Sequence, residues 1–207
     1  VTERRLADAQ RRRRRAAIAG HQGDEPTARA LVNDPDPGVR CAALGALQRL
    51  EAITADDLAG GLADPHPAVR RRTLELVATL RGQGPAARVR IIPLLDDPDE
   101  TVVEVAAWAA GEREPAESGA VARLAVLAQE ADDALVRESA VAALGSLGDP
   151  AGLPAILAGT RDKATVRRRA VIALAPFDGP EVDAALAAAL TDRDWQVRQS
   201  AEDLAEH

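Results

Sequence analysis

Aromatic side chains make up only 1% of the 207 residues, confined to Trp108, Trp195 and Phe177, and there is no Tyr and no Met. The apolar fraction of 46% is therefore carried by Ala, Leu and Val, small side chains that predict close helix packing. The single Cys41 excludes internal disulfides and a Cys-based zinc site, and His21, His66 and His207 show no metal-ligand spacing. No stretch reaches the roughly 18 consecutive apolar residues that a spanning helix requires, so no membrane insertion is expected. The Arg run near the start of the chain has no apolar core or cleavage site behind it, and a cytoplasmic location is expected. Lysine is nearly missing as well: Lys163 is the only one among 26 basic residues.

Charge is unevenly placed. Seven Arg within residues 1 to 19 (Arg4, Arg5 and Arg11, Arg12, Arg13, Arg14, Arg15) face only Glu3 and Asp8, a local net of +5 in a chain of −7, leaving −12 for the remainder. A basic segment on an acidic body marks Arg11 to Arg15 as a candidate anion-binding element.

Internal repetition dominates what is present. Six related segments begin at Asp34, Asp64, Asp97, Ala131, Arg161 and Asp192. Their anchor valines, Val39, Val69, Val102, Val136, Val166 and Val197, are spaced by 30, 33, 34, 30 and 31 residues. A period near 30 means stacked supersecondary units. In each, an acidic turn supplies a carboxylate that caps a helix start, and apolar residues recur 4, 5, 7 and 8 positions after the valine, forming one buried stripe. A preceding helix in each unit is read at Glu25 to Val32, Thr54 to Leu62, Pro85 to Leu95, Pro115 to Ala131, Pro150 to Ala158 and Pro180 to Leu190.

The acidic turn followed by Val-Arg (Val39-Arg40, Val69-Arg70, Val136-Arg137, Val166-Arg167, Val197-Arg198) resembles the short HEAT-like repeats of phycobilisome lyase-like proteins. Repeat three departs, with Val102-Val103. The resemblance implies an all-α fold: an α-solenoid of about six stacked HEAT-like helical hairpins. It implies a basic capping helix over residues 1 to 20, a single array over 21 to 207, and Val-Arg arginines that bridge to the turn Asp of a neighbouring repeat. It also implies that the second helices line the concave surface. Related hydroxylases carry His-Glu dipeptides that hold a di-iron centre, and this sequence has none. Bilin lyase activity is possible by resemblance, without a further motif for a bilin.

No triad spacing, P-loop or dinucleotide fingerprint occurs, so no catalytic residue, cofactor or metal is expected. The local anomaly is Trp108, six positions after its valine, where the other repeats carry Gly45, Glu75, Ala142, Ile172 and Asp203. Glu104, Val105 and Glu112 stand beside it on the same helix, Glu138 is on the next repeat, and the recurrent pairs Arg71, Arg72 and Arg168, Arg169 add charge. These residues form the expected partner-binding surface for a protein or peptide of mixed charge. The expectation is a scaffold or adaptor without turnover. The alternative is a nucleic-acid-associated protein resembling DNA alkylation repair glycosylases, with Trp108 and Glu112 at i, i+4 and the Arg11 to Arg15 segment on phosphates; the acidic body opposes it.

Overall fold

The computed structural model describes the backbone of residues 2–205 and the side chains of residues 6–205. Arg4, Arg5 and Glu3 of the basic segment lie outside the described side chains, and His207 lies outside the described residues. All regular structure among the described residues is helical: α1 (Thr2–Gln22), α2 (Glu25–Leu31), α3 (Pro37–Arg49), α4 (Ala55–Leu62), α5 (Pro67–Thr79), α6 (Glu100–Gly111), α7 (Ala120–Glu130), α8 (Ala134–Leu147), α9 (Leu153–Gly159), α10 (Ala164–Ala173), α11 (Pro180–Ala189) and α12 (Trp195–Ala205), with three 3-10 turns. No described helix is long and apolar enough to cross a membrane.

The chain forms two compact units, Val1–Ile91 and Ile92–His207. In the first, α1, α3 and α5 pack in series, with α2 and α4 against them. In the second, α6, α8, α10 and α12 pack in series, with α7, α9 and α11 behind. Each unit is thus a stack of antiparallel hairpins in the manner of an α-solenoid.

The anchor valines and the stripe behind them are the core. Val39, Ala43, Leu44, Ala46 and Leu47 are buried, as are Val136, Ala140, Val141, Ala143 and Leu144. Helix starts follow the turn chemistry: Asp36 accepts from the Val39 amide at 3.1 Å, Asp133 from Leu135 at 2.8 Å and Asp194 from Gln196 at 2.9 Å. In repeat two His66 takes this part, its Nδ1 accepting from the Ala68 amide at 3.2 Å.

The Val-Arg arginines form a ladder. Arg40 donates to both carboxylate oxygens of Asp64 at 2.7 Å and to the carbonyl of Asp34 in its own turn at 2.9 Å. Arg137 repeats this on Asp162 (2.6 and 2.9 Å) and on the carbonyls of Ala131 and Asp132. Arg167 repeats it on Asp192 at 2.9 and 2.8 Å and on the carbonyl of Asp162. Each guanidinium therefore closes its own turn and clamps the next one with a bidentate pair. Inside the second unit one rung is missing: Val103 stands where the Arg belongs, and Ala131 stands five positions before its valine, where Asp34, Asp64 and Asp192 receive their rungs.

Helix α1 is in register with the second helices. Arg12 makes the first rung, on Asp34 at 2.6 and 3.0 Å. Eight residues later, Gly20 lies where a Cβ would stand 2.8 Å from the Ala46 Cα. Gly111 on Ala143 and Gly145 on Ala173 repeat this contact at 2.7 Å from the same repeat positions. The first helical element of repeat three differs from expectation. Pro85 to Leu95 is not one helix but two 3-10 turns, Gly84–Arg88 and Ile92–Asp96, with Val89 extended after the first. Gly82 and Gly84 take left-handed φ of 72° and 55°, and Pro93 has no N–H to donate. Helix α7 likewise starts at Ala120 rather than Pro115, after Gly119 at φ 89°.

Candidate functional site

On α6 and α8 the positions 2, 3 and 6 after the valine lie off the buried stripe and are partly or fully exposed. On α6 these are Glu104, Val105 and Trp108; on α8, Glu138, Ser139 and Ala142. With Arg169 of α10 they line a cleft of about 360 Å³. The indole of Trp108 is 42% exposed, against complete burial of its neighbours Ala107 and Ala109. Arg169 Nη2 lies 3.4 Å from Glu138 Oε1, a long pair that leaves both groups partly solvated. The result is an aromatic platform with two carboxylates and one guanidinium around it.

Of the residues singled out in the sequence, Glu104, Val105, Trp108, Glu138 and Arg169 meet in this cleft. Glu112 does not line it; it caps the C-terminus of α6, its amide donating to the Trp108 carbonyl at 3.2 Å. Arg168 is exposed beside Arg169 on α10. Arg71 and Arg72 belong to α5 in the first unit, where Arg71 is exposed and Arg72 pairs with Glu75 at 2.7 Å. Ser139 and Ala142 were missed, although their repeat positions match those of Val105 and Trp108.

The basic segment is divided by the faces of α1. Arg11 pairs with Asp8, Arg12 is engaged in the Asp34 rung, and Arg15 donates to Thr27 Oγ1 at 3.5 Å. Arg13 enters a second cleft with Arg49, Arg72 and Cys41, and Arg14 is exposed. Hydrogen bonds from Arg12 hold the Asp34 carboxyl below the usual carboxylate range, against the opposing effect of burial. Among the described residues no group of three or more His, Cys, Asp or Glu gathers as a metal site requires.

A family model for HEAT repeats matches residues 55–145 and 121–205, most of the chain. The chain belongs to the HEAT-repeat family. The match stands at the level of HEAT repeats and does not select the phycobilisome lyase-like type. Solved structures of the same fold include a designed armadillo repeat protein in complex with the peptide (KR)4, with 19% identity, 87% of this chain and 98% of that chain covered, and a TM-score of 0.65. Escherichia coli YibA matches at 19% identity, 93% and 74% coverage and a TM-score of 0.69. Human deoxyhypusine hydroxylase matches at 22% identity, 96% and 79% coverage and a TM-score of 0.50. At these identities the likeness is one of fold alone. No curated protein matches this HEAT-repeat chain by sequence.

Proposed function

We propose that this HEAT-repeat protein is a non-catalytic scaffold that holds a peptide segment of another protein in the Trp108 cleft. The observation that carries the reading is the indole itself: a large apolar ring, 42% exposed, on a helix whose core side is all Val and Ala. Gly45, Glu75, Ala142 and Asp203 hold that position in four other repeats, so core packing does not require the ring. Exposed aromatics in a cleft are the usual anchors of interfaces. Glu104 and Glu138 against the single Arg169 make the rim acidic, which suits a segment presenting an apolar side chain and a Lys or Arg close to the indole face. A protein of similar fold, the designed armadillo repeat, is seen with a peptide of that charge. Glu112 and Arg168 flank the cleft as outer contacts.

Covering the exposed part of the indole, about 100 Å² of a Trp side chain, is worth about 2 kcal/mol, or roughly thirtyfold in affinity. The test is selection of displayed peptides on the wild-type chain with counter-selection on Trp108→Ala. Enrichment of peptides that pair an apolar residue with a basic one, and that bind Trp108→Ala roughly thirtyfold more weakly, is expected. Peptides that bind both proteins equally would remove Trp108 from the site.

A further inference from the structure

We infer that the first unit carries a separate cleft, built by α1, α3 and α5, that accepts the carboxylate side chains of an acidic peptide segment. Its register makes it the counterpart of the Trp108 cleft with its charges changed. Counting from the anchor position, Arg72 of α5 corresponds to Arg169 of α10, Gly45 to Ala142 and Ala17 to Trp108. The two carboxylates of the second-unit cleft have no equivalent: Cys41 stands where α8 has Glu138, and Arg13 where α6 has Glu104. Arg49, one turn beyond Gly45 on α3, adds a third guanidinium. The cleft holds about 220 Å³ and no carboxylate lines it.

Glycines give the guanidinium groups their room. Arg72 is held at Nη1 by Glu75, while its Nη2 and Nε lie over Gly45, 3.0 and 3.7 Å from where a Cβ would stand. Arg13 lies over Gly38, its Cδ at 3.8 Å from the corresponding point. Arg13 and Arg49 are exposed and Arg72 is half-buried, so all three remain accessible from solvent. Burial pushes the Cys41 thiol up, with Arg40, Arg72 and Arg13 pulling against it, and the thiol adds no negative charge at neutral pH. Converging guanidinium groups on three helices match the planar carboxylate, which takes paired N–H donors. A nucleic-acid backbone needs a track of cations. Here the track is interrupted, because Arg12 is engaged by Asp34 and Arg11 by Asp8 on a chain of net charge −7.

Cys41 is the sole thiol of the chain and lies in this cleft, so its alkylation by N-ethylmaleimide reports occupancy of the first unit alone, apart from the Trp108 reading. The experiment uses the full chain with a fluorescein-labelled peptide of alternating Glu and Ala, and the Gln-Ala peptide, inorganic phosphate and duplex DNA as parallel arms. The Glu-Ala peptide is expected to bind, to slow Cys41 alkylation, and to lose about tenfold in affinity with Arg72→Gln, Arg49→Gln or Cys41→Glu, the last supplying Arg72 with an internal carboxylate. Arg14→Gln, an equal change of charge on α1 outside the cleft, is expected to leave binding unchanged. All variants are compared at matched helicity by circular dichroism, and the alkylation readout in the wild-type chain needs no variant. Binding no better than that of the Gln-Ala peptide, an equal loss with Arg14→Gln, or protection of Cys41 as strong with phosphate or duplex DNA would each overturn the inference.

Discussion

Removing one side of the Arg137–Asp162 rung tests the ladder quantitatively. Arg137 donates four hydrogen bonds, two to Asp162 and two to the carbonyls of Ala131 and Asp132. The side chains are only 12% and 21% exposed, so the pair is worth more than a surface ion pair. Arg137→Ala removes all four bonds and leaves Asp162 without its clamp, a cost of about 3 kcal/mol. Asp162→Ala leaves Arg137 on its two carbonyls and costs less, about 2 kcal/mol. The double variant should show a coupling of about 1.5 kcal/mol between the two. Urea unfolding followed by Trp fluorescence is the assay, because Trp108 and Trp195 both lie in the second unit and no Trp lies in the first. A coupling below about 0.3 kcal/mol, the error of additivity, or a larger cost for Asp162→Ala than for Arg137→Ala, would refute the clamp.

The missing rung should be restorable: Val103→Arg alone places an unmatched charge at a buried position and costs about 2 kcal/mol, and adding Ala131→Asp should return at least about half of it in the same assay. Two Gly→Ala changes should have opposite signs. Gly145→Ala drives a Cβ to 2.7 Å from the Ala173 Cα and destabilises by about 1–2 kcal/mol despite better helix propensity, whereas Gly45→Ala meets only the flexible end of Arg72 and stabilises by up to about 1 kcal/mol, both read by thermal melts. Acid should weaken the ladder. Hydrogen bonds from Arg137 and Arg167 lower the Asp162 and Asp192 carboxyls, and Asp64 is lowered by Arg40 although burial opposes it. A carboxyl lowered in the folded state contributes stability above its unfolded pKa of about 3.9 and loses it as pH falls through the folded value, so the cost of Arg137→Ala should shrink well below pH 4 toward that of its two carbonyl bonds alone.

The period near 30, the acidic turns and the Val-Arg pairs made the hairpin stack legible, because caps and apolar stripes are set within one helix. Contacts between helices were less legible. Helix α1 escaped recognition as a second helix because Arg11 occupies the anchor position in place of Val, and its marks, Arg12 and Gly20, acquire meaning only against Asp34 and Ala46. The missing rung between Val103 and the turn at Ala131 required the partner turn to be known. The segment at Pro85 to Leu95 carried helix-like composition, but left-handed Gly82 and Gly84 and the missing N–H of Pro93 decided it locally. The repeat positions of Glu104, Val105, Trp108, Glu138 and Arg169 made their shared surface legible, whereas Ser139 and Ala142 carry no side chain that marks them in the sequence. The arginine cleft was not legible, since Arg13 had been grouped with a linear basic run rather than with Arg49 and Arg72.

The measurement that bears most directly on the scaffold reading is affinity capture from lysate with wild type and a verified-folded Trp108→Ala, each with and without nuclease. A protein that stays bound after nuclease and is lost with Trp108→Ala is the expected result. Capture that vanishes with nuclease, or that Trp108→Ala leaves unchanged, would contradict it.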